Sequence, residues 1–271
     1  MLKVAVVGAQ DILGQELVRT LEAHHCSVLP LASGPLTKEQ EENDIVAFAP
    51  TPDLIKDYDA VILAQPEPAG LLDEFPGRVL DVTADASRGT PAPLTGPWGP
   101  ENRLFVRPAV EQILLLLPHL VENLGTVSGV YLRSVSHRGE IGLMELHQQS
   151  VAVLQGEEPD TTHLGYRAAF EVVPQKPKGR ITDVFTPTFH GDLLVLNLVN
   201  LEKRMTKKTN LPGQVKWADT PPTSRDVATR SEVLVYADLD AKGQYATLVI
   251  GFDAILWGVL QPMVRLLSLK V

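Results

Sequence analysis

The sequence predicts an α/β protein with a parallel sheet first and a mixed, largely antiparallel sheet after it. Three observations carry this. Lys3 to Val7 is a short β-branched run that ends at Gly8, and Gly14 follows in an amphipathic segment from Ile12 to Glu22. Short apolar runs then alternate with Pro- and Gly-rich stretches as far as Arg107. Beyond Arg107 the runs lengthen and alternate apolar with polar residues, as in Ser231 to Leu239 and Tyr245 to Phe252.

The opening strand, glycine turn and helix are Rossmann-like, with Ile12, Leu13, Leu17 and Leu21 on one helix face. In such a unit a pyrophosphate sits on the helix N-terminus. Here Gln10 and Asp11 occupy the turn where a bare glycine lets the backbone approach the phosphates. The candidate cofactor residues are therefore Gly8, Gln10, Asp11, Ile12, Leu13 and Gly14, with a carboxylate set against the phosphates. Ser27 to Leu31 reads as the second strand and ends at Ser33-Gly34 with no acid for a ribose hydroxyl. A serine turn suits a 2′-phosphate instead, and Lys38 is the base close by. NADP is thus the cofactor to test, with binding weak or lost.

Ile45 to Phe48, Ala60 to Ala64, Val79 to Val82 and Leu104 to Val106 read as further short strands. Ala109 to Asn123 reads as a helix stopped by Gly125. Thr126 to Ser136 reads as a long strand, and Gly139 to Leu154 as a helix with Leu143, Leu146 and Val153 on one side. Arg180 to Leu201 reads as a strand pair or one bent strand. Glu202 to Arg225 reads as a basic, Thr- and Pro-containing loop, and Ala254 to Leu269 as a closing helix. The change of style at Arg107 places a domain boundary there.

Composition narrows the function classes. The chain of 271 residues has a formal net charge of -9, which argues against nucleic acid or an anionic membrane as partner. The basic run from Lys203 to Lys208 reads as a solvated loop in this acidic whole. Cys26 is the single cysteine, read as a plain buried thiol, so no intrachain disulfide is expected. The apolar stretch around Ile113 to Leu117 is cut by Pro118, well short of the roughly 20 residues a membrane span needs. The N-terminus runs straight into a strand without a signal peptide, so a cytoplasmic protein is expected. His137, His147 and His163 lack metal-ligand spacing, and no metal is expected.

Four phrases in order resemble aspartate-semialdehyde dehydrogenase. They are the N-terminal glycine turn, Val79-Leu80-Asp81-Val82-Thr83-Ala84-Asp85-Ala86-Ser87-Arg88, Ser134-Val135-Ser136-His137-Arg138-Gly139 with Glu145-Leu146, and Ala168-Ala169-Phe170-Glu171-Val172-Val173-Pro174-Gln175. The family carries G-A-T-G-x-V-G, D-N-S-S-x-F-R, Q-A-V-S-G-A-G then E-L, and A-F-N-x-I-P-Q at these places. The resemblance covers nearly the whole chain. It implies a Rossmann-like domain over residues 1–107 plus 254–271, with the C-terminal helix returning to it, and an α+β dimerisation or substrate domain over residues 108–253. The partner so implied is a second copy of the chain.

The same resemblance puts the family's chemistry in question. Its cysteine nucleophile in N-P-N-C falls on Arg107-Pro108-Ala109-Val110, and valine cannot form a thioester. Its G-H base falls on Gly191-Asp192, with His190 nearby. The glutamine of Q-A-V-S becomes Arg133, the arginine of R-V-P-V becomes Phe185, and a substrate helix is replaced by Lys176 to Gly179. Near the C-terminus, a segment that contacts cofactor in the family keeps chiefly Gln261. Arg88 best matches a substrate-phosphate arginine. Arg88, Arg133, His137 and Arg138 read either as an anion pocket or as a solvated cluster. Ser136 and His137 with Asp183 or Asp192 assemble a triad only on paper, since no nucleophile elbow is present.

Three readings follow. In the first, the chain is a catalytically degenerate homologue, a non-enzymatic binding or regulatory homodimer. In the second, it is a semialdehyde dehydrogenase-type oxidoreductase, or an enzyme of altered chemistry, using His190, Asp192 and Arg133. In the third, it is a nucleotide-binding regulator with a weak NADP site at Gly8 to Gly14 and Ser33.

Overall fold

A computed structural model describes residues 1–34, 47–83, 89–175 and 179–268. Lys38, Ile45, Val46, Arg88, Lys176 to Lys178 and Leu269 lie outside the described residues. The chain forms two compact units: Met1–Pro108 with Gly258–Val271, and Ala109–Trp257.

The first unit is built on six parallel strands. In chain order its elements are β1 (Lys3–Val7), α1 (Ile12–Ala23), β2 (Ser27–Leu31), the one-turn α2 (Pro52–Ile55), β3 (Ala60–Leu63), β4 (Arg78–Asp81), β5 (Thr90–Pro91) and β6 (Arg103–Phe105). The sheet order is β2-β1-β3-β4-β6-β5. β1 lies between β2 and β3 and is buried from Val4 to Val7, as a parallel strand covered on both faces must be. Ala5, Val7, Leu31, Ile55, Val61, Leu63, Leu72 and Val79 form one core cluster. Helix α1 buries Gly14, Leu17 and Leu21, whereas Ile12 and Leu13 are only half-buried. Gly14 is there for close approach, because a Cβ on it would meet the Gly8 carbonyl oxygen at 2.0 Å. The expected buried thiol is corrected: Cys26, just past α1, is half-buried.

The second unit begins with α3 (Ala109–Leu120) and the two-residue β7 (Val121–Glu122). The helix stops at Leu120, short of its expected end, because Val121 and Glu122 turn to strand and pair with Lys207 and Thr206. β8 (Thr126–Arg133) then ends three residues early, and the chain winds into a 3₁₀ turn over Val135–Arg138 before α4 (Gly139–Gln155). β9 (Val173–Pro174), β10 (Ile181–Phe185) and β11 (Asp192–Val199) follow. The expected loop from Glu202 to Arg225 contains β12 (Thr206–Lys207), β13 (Val215–Trp217) and the start of α5 (Ser224–Val227). β14 (Val233–Leu239) and β15 (Tyr245–Phe252) complete the sheet.

That sheet has the order β13-β14-β15-β11-β8-β10-β9. The strands expected as a pair between Arg180 and Leu201 do not pair with each other, because β8 lies between them. β11 is antiparallel to both neighbours. Leu194, Leu196 and Leu198 are buried on one of its faces. The other face carries half-buried Leu193 and Val195 and exposed Asn197, so it is less covered than an all-apolar strand requires.

On α4, Gly142, Leu146 and the polar pair Glu145 and Gln149 face inward. Leu146 packs with Val135, Leu164, Ala168 and Ala169, and Leu143 and Val153 lie at the edge of that cluster. The outward side of α4 is apolar: Ile141 is 55% and Leu154 78% exposed, with Met144 and Val151 between them. The expected closing helix is instead a π-turn over Leu256–Leu260 followed by α6 (Gln261–Leu266). α6 belongs to the first unit, where the Arg265 guanidinium donates to the Pro93 carbonyl at 2.6 Å and to that of Leu94.

Candidate functional site

Asp192 is a fully buried carboxylate in the second unit, at 0% exposure. The chain reaches it through Gly191, whose φ of +84° turns the backbone into the first residue of β11. A Cβ at Gly191 would also meet the Ser224 carbonyl oxygen at 2.1 Å. Register does the rest. Leu194 pairs with Tyr131 on β8, so the start of β11 lies beside the end of β8 and the 3₁₀ turn that follows.

Four donors converge on this carboxylate. Its Oδ1 accepts from the Ser134 backbone N–H at 2.8 Å and from Ser134 Oγ at 2.6 Å. Its Oδ2 accepts from the Tyr131 hydroxyl and from His137 Nε2, the latter at 2.7 Å. Ser136 Oγ extends the network, 2.8 Å from Ser134 Oγ. Burial alone would raise the Asp192 carboxyl, but the hydrogen bond and charge of His137, with Ser134 and Tyr131, hold it below the ordinary carboxylate value. Burial, then the adjacent Asp192 charge, drives the Tyr131 phenol well above its ordinary value. Tyr131 is further fixed by stacking on Phe252, with ring centroids 6.0 Å apart.

His137 is the one member that reaches solvent, with its side chain 27% exposed. The tautomer that serves Asp192 carries its proton on Nε2, which leaves Nδ1 as the ring's other nitrogen. The arrangement is therefore a positioned imidazole backed by a buried carboxylate. It is not a serine triad, because Ser134 bonds the carboxylate and Ser136 bonds Ser134.

The expected grouping of His190 with Asp192 is corrected. The imidazole on Asp192 is that of His137, and His190 sits in the bend before Gly191, off the strand. Arg133 is not grouped with them as a free cation either. It pairs with Asp183 at 2.6 Å, and its guanidinium lies 5.1 Å from the Tyr131 ring centroid and 5.5 Å from that of Phe185. Arg138 lies over the other ring contact, 5.1 Å from Phe185, which also stacks on Tyr166. Arg133 and Arg138 thus share one aromatic platform, while Arg88 lies outside the described residues. Val110 is half-buried in the first turn of α3. Tyr131 and Ser134 were not legible as site residues. Each reads as an ordinary strand or turn residue, and their common target is distant in sequence.

The candidate cofactor turn lies in the first unit. Gly8 has a φ of +87°, and Gly8 N and Ala9 N donate to the Leu31 carbonyl at 2.8 and 3.0 Å. Gln10 is buried beside Ser33, and Asp11 is half-buried and bonded to Gln65. Burial raises the Asp11 carboxyl above its ordinary value, against the lowering effect of the Gln65 hydrogen bond. Among the described residues no group of His, Cys, Asp and Glu could hold a metal ion, and no helix is long and apolar enough to cross a membrane.

A parallel six-stranded sheet joined in one chain to a separate mixed sheet defines the class of protein. Solved structures of aspartate-semialdehyde dehydrogenases share that architecture over almost the full length. The Vibrio cholerae aspartate semialdehyde dehydrogenase II complexed with ASA is similar at 16% identity and TM-score 0.73, covering 99% of this chain and 98% of that one. A probable aspartate-semialdehyde dehydrogenase from Pseudomonas aeruginosa is similar at 18% identity and TM-score 0.73, covering 97% of each chain. The enzyme from Francisella tularensis is similar at 12% identity and TM-score 0.69, covering 99% of each. At these identities the likeness is one of fold. No protein-family model and no curated protein matches the sequence.

Proposed function

We propose that the chain is a member of the aspartate-semialdehyde dehydrogenase family that has lost the family's reaction and serves as a binding or regulatory homodimer. The observation that carries this reading is the state of Asp192. By resemblance it stands where the family has its catalytic base. A fully buried carboxylate held by four donors and kept below its ordinary pKa is a poor proton acceptor. Val110, at the position that resembles the family's thiol, offers no nucleophile. Purified protein given aspartate semialdehyde, phosphate and NADP should reduce no cofactor above a blank without protein. Sustained turnover would overturn the reading.

The half-covered face of β11 and the exposed apolar side of α4 support the homodimer, since a second copy is the simplest cover for both. A cytoplasmic location is proposed with it. A second reading rests on the His137–Asp192 pair itself. An imidazole oriented by a buried carboxylate is a general base in waiting, and altered acid–base chemistry through His137 is the alternative. It predicts an activity that His137→Asn abolishes while circular dichroism shows the variant still folded.

A further inference from the structure

The turn that would receive a dinucleotide pyrophosphate does not fit one, because a carboxylate stands at it and the side chains around it are engaged with one another. We infer that an internal latch closes this turn: Gln65 holds the Asp11 carboxylate over the glycine turn while Gln10 ties the same turn to Ser33. The inference deepens the reading of lost chemistry and rests on that reading only for the choice of ligand to test.

Three contacts build the latch. The Gln65 amide donates to Asp11 Oδ2 at 2.6 Å, from the end of β3 to the start of α1. The Gln65 side chain lies against Gly8, so that a Cβ there would meet Gln65 Cγ at 2.5 Å and Cβ at 2.8 Å. Gln65 is thereby packed on the first glycine of the turn, beside the position where Asp11 stands in place of a bare glycine. Gln10, 6% exposed, forms a reciprocal pair with Ser33: Nε2 donates to Ser33 Oγ at 2.7 Å, and the Ser33 backbone N–H donates to Oε1 at 3.2 Å. Ser33 is the residue best placed by sequence to meet a 2′-phosphate, and its hydroxyl and amide both face Gln10.

Hydrogen bonds within the protein brace the turn: Gly8 N and Ala9 N serve Leu31, Asp11 N donates to Gly8 O at 3.2 Å, and Gln15 Nε2 donates to Gln10 O at 3.2 Å. Asp11 stands at the N-cap of a twelve-residue helix without capping it through its side chain, so its carboxylate brings negative charge to the end an incoming phosphate would use. The turn is therefore closed by the Asp11 charge, by the Gln65 side chain packed on it and by the engagement of Ser33 with Gln10. Closure by several contacts distinguishes the latch from simple repulsion by Asp11.

Calorimetric titration of the full chain with NADPH tests this, with circular-dichroism melting of each variant as the check on folding. The unaltered protein should show no saturable binding up to about 1 mM. Asp11→Gly combined with Gln65→Ala should tighten NADPH on the order of a hundredfold, since it removes both the opposing charge and the cover. Asp11→Asn removes the charge but keeps an amide partner for Gln65, and should recover only a small part of that gain. Should the double variant not fold, Gln65→Ala alone uncovers Gly8 and should tighten binding about tenfold. Micromolar binding by the unaltered protein overturns the latch, as does a folded double variant that binds no better than the parent. Asp11→Asn binding as tightly as the double variant overturns it too, by reducing the effect to charge. Turnover of aspartate semialdehyde is read separately, so a failure of the proposed function and a failure of the latch give different results.

Discussion

His137 and Asp192 lie 55 positions apart and meet at 2.7 Å, Nε2 to Oδ2, across the junction of β8 and β11. The carboxylate is sealed from solvent and the imidazole reaches it. The pair ties the 3₁₀ turn to the central strand of the sheet, so its chemistry and the stability of the second unit are linked.

Asp192 should be a pH-dependent source of stability. Its folded pKa lies below its unfolded value, so its contribution is complete above the unfolded pKa of about 3.9 and is lost as pH falls through it toward the folded value. Asp192→Asn turns an amide donor toward groups that already donate and should cost about 1–3 kcal/mol at neutral pH. Urea unfolding at pH 7 and at pH 3 measures both. The gap between parent and variant should narrow at the lower pH.

Tyr131 should ionise well above the ordinary tyrosine range. Its proton is held more tightly folded than unfolded, so its contribution is present below the unfolded pKa and is lost as pH rises toward the folded value. Alkaline titration followed by phenolate absorbance should show a step above the ordinary range that Tyr131→Phe reduces. The variant should lose about 1 kcal/mol of stability with its hydroxyl donor.

Val110→Cys should not restore dehydrogenase turnover. The thiol would stand in the first turn of α3, but the carboxylate in the position resembling the family base would still be a poor proton acceptor. Thiol reactivity of the variant with a disulfide reagent, measured beside the coupled NADP assay, separates an unreactive cysteine from a missing base.

Glu145 and Gln149 should be needed to hold the loop after α4. Glu145 accepts from the backbone of His163 and Leu164, and Gln149 Oε1 accepts from Ala168 and Ala169. Gln149 Nε2 also donates to the Asp160 and Tyr166 carbonyls. Glu145→Ala leaves two backbone N–H groups without their acceptor and should destabilise by roughly 2–4 kcal/mol. Limited trypsin digestion should then cleave faster after Arg167.

The chain should be a dimer at micromolar concentration, with an interface above roughly 2,000 Å² of total buried surface. Light scattering should give twice the chain mass of 29.5 kDa. Ile141→Glu with Leu154→Glu places charge on the exposed apolar side of α4 and should shift the population toward the single-chain mass. A stable monomer of the unaltered chain would contradict the homodimer.

The sequence by itself determined the elements whose signals are local. The run from Lys3 to Val7, the glycines at 8 and 14 and the helix to Ala23 are legible because strand burial, turn and helix face each repeat within a few residues. The alternation of Val233 to Leu239 and of Tyr245 to Phe252 marked antiparallel strands in the same way. Tertiary structure alone decided the partners. β10 and β11 follow one another in sequence, yet β8 lies between them, so their runs could not say that they are not paired. His190 stands two residues from Asp192, but the turn at Gly191 takes it off the strand, while register brings His137 from another element to the carboxylate. Gln65 carries no local signal at all, and it reaches Asp11 because β3 lies beside β1. Periodicity is a property of a single segment, whereas a side-chain partner is fixed by which strands are neighbours and in what register.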